Sequence, residues 1–262
     1  MKIVVCVKHV PDLQSDRRLT DEGVIDRSQG DGTLNELDEN AVEAAVSIAE
    51  SLGGEVTVLT VGPADAEDAV RRGLQMGAER AVHVVDRAIA GSDVFGTATV
   101  LAAAIRRIGL DVPVDLVVTG MASLDGVTSL LPAALAAELD LPQMTLAAEL
   151  EVADGTVTIR RELDHASEHL TASLPALVSV TDQANEPRYP NFKGIMAARK
   201  KQVEVLSLAD LGVRPDLVGP AAARTEVVAA AARPPREDRV LLTDDGEAGL
   251  RLAAFLVENK FV

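Results

Sequence analysis

Short apolar runs alternate with amphipathic stretches over the first two thirds of the chain, and this rhythm constrains the fold more than anything else. Residues 2–7 read as a buried strand, 55–61 as the next, and 81–85 and 115–119 as two more. Between them lie helical patterns. Asn35 can cap a helix whose apolar face is Val42, Ala45, Val46, Ala49 and Leu52, with Gly53 and Gly54 to end it. Gly62-Pro63 turns into a second helix that ends at Gly77, and a third spans residues 94–108. Strands separated by helices need crossover connections, so they run parallel and carry helices on both faces. The expected class is α/β, with a mostly parallel sheet.

After Leu139 the rhythm changes. Residues 149–152 and 156–163 flank Asp154-Gly155, a strong hairpin signal, and 168–173 and 176–180 prolong the extended run. These predict antiparallel strands added at the edge of the parallel sheet. Residues 17–27 read as a small hairpin around Asp21-Glu22-Gly23. Beyond Gly212 the chain turns Pro- and Ala-rich (221–235), then closes with an amphipathic stretch, 247–261. The expected organisation is one α/β domain over 1–206, with an exposed loop at 182–201, and a C-terminal arm over 207–262. Such an arm has little core of its own and needs another surface to lie on.

Composition excludes several roles. At 47% hydrophobic residues the chain can bury a full core, built from Ala, Val and Leu because only 2% is aromatic. Its single cysteine, Cys6, lies in an apolar strand, so no disulfide holds the fold and a reducing cytoplasm is the expected setting. The start MKIVVCVKH lacks the pattern of a signal peptide, and no apolar run approaches the ~20 residues that span a bilayer. The net charge of −16 argues against nucleic acid and anionic lipid, which need broad basic surfaces. Arg199, Lys200 and Lys201 stand out against that background. They either seek an acidic partner or balance local carboxylates.

No catalytic constellation emerges. GxGxxG, a lysine-bearing phosphate loop and a G-x-S-x-G elbow are all missing. His165 and His169 share an i,i+4 spacing but fall in a turn and a strand, without the frame of a zinc site. Cys6 reads as a small core residue. The best small-molecule candidate is residues 120–131, GMASLDGVTSLL, which follow a strand and open a helix where open α/β sheets take ligands. Free N–H groups at that helix start, near Thr128 and Ser129, favour an anion. Most such loops bind nothing, so the pattern alone does not decide.

One other stretch is distinctive. Pro187 and Pro190 fix φ near about −65° and push Glu186 and Tyr189 towards extended backbone. The result is a stiff turn carrying Phe192 ahead of a short basic helix. It either docks on a partner or plugs the domain's own core through Phe192 and Ile195.

This segment resembles the signature of the β subunit of electron transfer flavoproteins, of the bacterial housekeeping type. It stands here as Asn185-Glu186-Pro187-Arg188-Tyr189, then Ile195-Met196, then Arg199-Lys200-Lys201. The likeness covers nearly the whole chain, through KIVVCVKHVPD, GPADAEDAVRRGLQMGAERAVHV, and VDLVVTG followed by Asp125. It implies a Rossmann-like sheet of the adenine nucleotide α-hydrolase type, and an electron carrier without a catalytic centre. Carried over by position, it implies an AMP site built from Cys6, from Asn35, Glu36, Leu37 and Asp38, and from Val61. The rest of that site is Gly120, Met121, Ala122, Ser123, Leu124, Asp125, Gly126, Val127, Thr128, Ser129, Leu130 and Leu131. Many members carry a polar, Gln-containing loop here. Backbone-mediated phosphate binding survives the change, while side-chain contacts to base or ribose do not follow.

The resemblance further implies a heterodimer with an α subunit that holds most of one FAD. Electrons arrive from acyl-CoA and other dehydrogenases in fatty acid oxidation and leave through a quinone oxidoreductase towards the respiratory chain. Docking would fall to Glu186, Pro187, Arg188, Tyr189, Pro190, Asn191, Phe192, Ile195, Met196 and Lys200. Leu13, in the loop starting at His9, and Glu162 match positions near the mobile flavin domain. The arm would pack on the α subunit. One alternative is a flavin-bifurcating complex with a second FAD in place of AMP. A stand-alone adenine-nucleotide enzyme is the other, but it needs a Gly-rich loop where Lys8-His9-Val10-Pro11-Asp12 stands.

Overall fold

The computed structural model describes residues 1–12, 19–20, 24–27, 32–231, 233–235, 237 and 239–262. They form two compact units, Met1–Val228 and Ala229–Val262. In chain order the first unit contains strands β1 (Lys2–Cys6), β2 (His9–Pro11) and β3 (Gly32–Leu34), helix α1 (Glu36–Leu52), β4 (Glu55–Val61) and α2 (Glu67–Met76). Then come β5 (Arg80–Val84), α3 (Val94–Ile108), β6 (Leu116–Gly120), α4 (Leu131–Leu139), β7 (Gln143–Ala153) and β8 (Thr156–Leu163). It ends with β9 (Ala166–Ser173), β10 (Ala176–Val180), α5 (Phe192–Ala198) and β11 (Val203–Leu206).

Nine strands make one sheet in the order β11-β5-β4-β1-β6-β10-β7-β8-β9. From β11 to β7 every neighbouring pair is parallel, and β8 and β9 extend the edge antiparallel. The α/β class with an antiparallel addition is therefore as expected. Asp154 (φ 50°) and Gly155 (φ 75°) make the β7–β8 turn with both central residues left-handed, as tight hairpins require.

Two strands depart from the expectation. Residues 176–180, grouped above with the antiparallel run, form β10, a parallel strand inserted between β6 and β7. All five of its residues are buried, the mark of a strand covered on both faces. Strand β11 adds an edge beside β5 that the sequence pattern did not single out.

Side-chain alternation builds two cores. Ile3 and Val5 face Val42, Val46, Val70 and Leu74 of α1 and α2. Val4 and Cys6 face Leu101, Ile105 and Leu135 of α3 and α4. Each fully buried aliphatic side chain contributes about 1.5–3 kcal/mol, so both helix layers are firmly held. Leu52, expected on the apolar face of α1, is half exposed at the helix end. Residues 207–228 belong to this first unit, and Leu208 and Val218 are buried in its α3–α4 core.

The topology fixes where a ligand can sit. From β1 the chain passes through α1 to β4 on one side, whereas α3 returns it to β6 on β1's other side. The loops after β1 and β6 lead to helices on opposite faces of the sheet, which opens a crevice at their carboxyl ends. Beside it, β2 and β3 pair antiparallel, and Leu19 bridges Ile25. The turn expected at Asp21-Glu22-Gly23 lies outside the described residues.

The second unit is a chain segment ending in helix α6 (Ala248–Glu258), none of whose residues is buried. Phe255 and Phe261 meet with ring centroids 6.3 Å apart, and Arg251 pairs with Asp245 at 2.6 Å. Among the described residues no helix is long and apolar enough to cross a membrane.

Candidate functional site

The loop after β6 is sewn to the start of α1. Asn35 occupies the cap position of α1, but its side chain makes no cap bond. Its amide instead donates to the Ala122 carbonyl at 3.0 Å, and its Oδ1 accepts from the Leu124 N–H at 3.0 Å. Asn35 is wholly buried, so both bonds are shielded from water. Gly120 lies so close to α1 that an added Cβ would stand 2.8 Å from the Leu37 carbonyl and 2.5 Å from Asp38 Oδ1. Only glycine permits that approach.

Asp38 sits beneath this junction, accepting the Lys8 N–H at 2.8 Å. Burial pushes its carboxyl up to about 7, against opposing hydrogen bonds from Asn35, Lys8 and Gly120 and the charge of Lys8. Asp125, on the loop itself, shows the opposite balance. Its burial is outweighed by Lys8 Nζ at 2.8 Å and by Arg27, whose Nε lies 3.0 Å away, and together they hold it well below the usual carboxylate range. Lys8 also donates to Ser123 Oγ at 3.2 Å. Sequence reasoning overlooked both cations. Lys8 directly follows a buried strand, which was a usable signal, whereas Arg27 gave none.

Beyond Asp125 the loop rises into solvent. Val127 (φ 47°) and Ser129 (φ 54°) adopt left-handed backbone, rare for a β-branched residue. Helix α4 begins at Leu131, not at Thr128 or Ser129, and Pro132 in its first turn has no N–H to offer. The helix start is thus a poorer anion site than the sequence led one to expect. Cys6 and Val61 end β1 and β4 at the same edge of the sheet. Burial raises the Cys6 thiol far above its ordinary value, with Asp38 adding to the effect, so it is inert. Glu36 and Leu37 open α1, Glu36 towards solvent.

Along its flank α1 carries the stiff loop. Asn40 and Asn185 exchange bonds, each side-chain amide donating to the other's backbone carbonyl, at 2.9 and 3.0 Å. Arg188 lies along Glu43 and Glu50, with Nε to Glu43 Oε2 and Nη1 to Glu50 Oε1 both 2.7 Å. The Arg188 pair is therefore turned inward, and it keeps Glu43 below its ordinary pKa despite partial burial. Pro190 is buried, but Tyr189 is 88% exposed, beneath the Arg72 guanidinium at 5.3 Å, and Phe192 is 79% exposed. Asn191 caps α5 by accepting the Gly194 N–H at 2.8 Å. Ile195 is half-buried and Met196 and Lys200 face solvent, while Lys201 Nζ donates to the Ala78 carbonyl at 2.6 Å.

Two expected residues stand apart. Glu162 lies on β8, ion-paired to Arg160 and accepting from Ser167 Oγ at 3.3 Å. Leu13 lies outside the described residues. His83 is buried and its Nε2–H donates to the Gly62 carbonyl, and among the described residues no cluster of His, Cys, Asp or Glu is placed to hold a metal.

Beside the crevice, residues 126–130 are exposed, with hydroxyls at Thr128 and Ser129 and apolar side chains at Val127 and Leu130, while Lys8 and Arg27 are fixed on Asp125. Among the described residues of this region no nucleophile is paired with a base. Comparison with known proteins gives the family. The electron transfer flavoprotein domain family matches residues 22–211. The chain is 44% identical to electron transfer flavoprotein subunit beta of Mycobacterium tuberculosis, over 99% of both chains. Identity to the subunit beta of Mycobacterium leprae is also 44%, again over 99% of both. The caffeyl-CoA reductase-Etf complex subunit CarD of Acetobacterium woodii is 34% identical, over 87% of this chain and 86% of that protein. With likeness of that extent, the chain belongs to the electron transfer flavoprotein family and stands with its β subunits.

Proposed function

We propose that this chain pairs with an α subunit to carry electrons from acyl-CoA and other dehydrogenases to a quinone oxidoreductase, in the cytoplasm, with AMP held in the crevice. FAD, kept mainly by the α subunit, supplies the redox chemistry when bound. This chain binds, positions and docks. The observation that carries the reading is Phe192, 79% exposed at the tip of a loop whose Asn185 and Arg188 are bound down by Asn40, Glu43 and Glu50. So exposed a ring adds little to the domain's own core, whereas a buried aromatic anchor contributes about 2 kcal/mol or more to an interface. Small interfaces of this kind suit a carrier that must leave after each transfer. The arm, whose last part from Ala229 onward ends in an amphipathic helix with no buried residue, is the segment that lies on the α subunit.

The AMP reading draws on the crevice at the carboxyl ends of β1 and β6 and on its donor set. AMP acts there as a structural ligand that keeps the 120–131 loop and α1 together, and no reaction is performed on it. The similarity to CarD motivates a second reading, in which a second FAD takes this crevice. Co-expression with the α subunit, followed by denaturation and identification of the released nucleotides, tests both. One FAD and one AMP per heterodimer is the expected result. Two FAD would establish the second reading, and no nucleotide beyond one FAD would end both.

A further inference from the structure

Asp125 is buried to its carboxylate, yet the cations that hold it are not. Lys8 keeps 41% of its side chain exposed and Arg27 46%, against 2% for Asp125. One cation would neutralise a carboxylate in so dry a place, but two converge on it. Lys8, Arg27 and Asp125 together therefore sum to one positive charge, in a chain whose net charge is −16. Asp38, the other acid beside Lys8, is pushed up to about 7 by burial, so at neutral pH it cancels only part of that charge.

Position sharpens the point. Lys8 leaves the end of β1 and Asp125 stands on the loop after β6, so the surplus charge lies at the mouth of the crevice. The usual alternative, a helix start rich in free N–H groups, is weakened here by Pro132. Arg27 reaches in from the segment beyond β2, so two separate parts of the chain meet on one carboxylate.

We propose that Lys8 and Arg27, held in place by Asp125, are the phosphate ligands of the crevice and select a nucleoside 5′-monophosphate over the bare nucleoside. This rests on the reading of the crevice as a nucleotide site. A terminal phosphate monoester carries two negative charges and three acceptor oxygens, which a fixed guanidinium and ammonium can share. Adenosine offers neither.

The test uses the heterodimer freed of nucleotide and titrated with AMP and with adenosine. The wild-type protein should prefer AMP, and Lys8→Gln and Arg27→Gln should each weaken AMP binding about tenfold, with adenosine binding unchanged. Removing one cation strains the buried carboxylate, so the triple variant Lys8→Gln/Arg27→Gln/Asp125→Asn, which leaves no unpaired charge, is measured beside them. It should bind AMP no better than adenosine. If the wild type prefers AMP and the variants keep that preference, the two cations serve only Asp125 and this proposal is overturned while the nucleotide reading stands. A wild-type protein that binds neither ligand overturns both.

Discussion

Arg188 and Glu43, 145 positions apart in the chain, are joined by three hydrogen bonds. The Arg188 N–H and Nε both donate to Oε2, at 3.0 and 2.7 Å, and Nη2 donates to Oε1 at 3.0 Å. Nη1 and Nη2 then reach Glu50 at 2.7 and 3.0 Å. One planar guanidinium thus occupies two carboxylates two helical turns apart, a geometry that an ammonium cannot reproduce. Arg188→Ala should cost about 2 kcal/mol of stability, the value for charged hydrogen bonds discounted for the exposed Glu50 side. Arg188→Lys should recover less than half of that. Urea unfolding of the heterodimer measures both, and an unchanged midpoint would refute the anchoring role.

Phe192→Ala should behave in the opposite way. The ring is in solvent, so stability should stay within about 0.5 kcal/mol of wild type. Reduction by an acyl-CoA dehydrogenase should slow, mainly through a raised KM, with heterodimer assembly and flavin content intact. Loss of flavin in step with activity would mean that the ring is structural.

Gly120→Ala should act at the crevice. The new methyl group would meet the Leu37 carbonyl at 2.8 Å, and backbone cannot swing aside as a side chain can. Overpacking of this kind costs about 1–3 kcal/mol. The bound nucleotide should fall below one per heterodimer, as read by chromatography of the denatured protein.

Asp38 gives a pH dependence of definite sign. Its carboxyl is raised from an ordinary 3.8 to about 7 in the fold, so near pH 6 the native state holds a proton that the unfolded chain has released. Stability from this group is complete below the unfolded pKa and is lost as pH rises through about 7, with a slope of at most about 1.4 kcal/mol per pH unit. Asp125 and Glu43, whose values are lowered, contribute in the opposite sense and lose their share only in acid. Asp38→Asn should therefore flatten the stability profile between about pH 5.5 and 7. A profile equally steep in the variant would locate the titration elsewhere.

The parallel sheet was legible because its strands announce themselves as apolar runs between amphipathic stretches. Direction was not. The run Ala-Leu-Val-Ser-Val of β10 says that both faces are covered, but nothing in these five residues says that the chain doubles back to lie between β6 and β7. The crevice was half legible. Asn35 could be expected at a helix start, but its use as a bridge to Ala122 and Leu124 depends on residues 87 and 89 positions away. Lys8 could have been suspected from its place after a buried strand, whereas Arg27 escaped because its link to Asp125 spans 98 positions of chain. Glu43 and Glu50 did offer a clue, since a spacing of seven puts both on one face of a helix.

Seventeen residues of α1 make a rod about 25 Å long at 1.5 Å per residue. The crevice is fastened to its tip, through Asn35 and Asp38, and the Phe192 hook is lashed along its side, through Asn40, Glu43 and Glu50. The hook therefore takes its bearing from the same strut that borders the ligand. A change that tilts this strut moves both together, so altering the docking surface alone requires changes outward of Arg188.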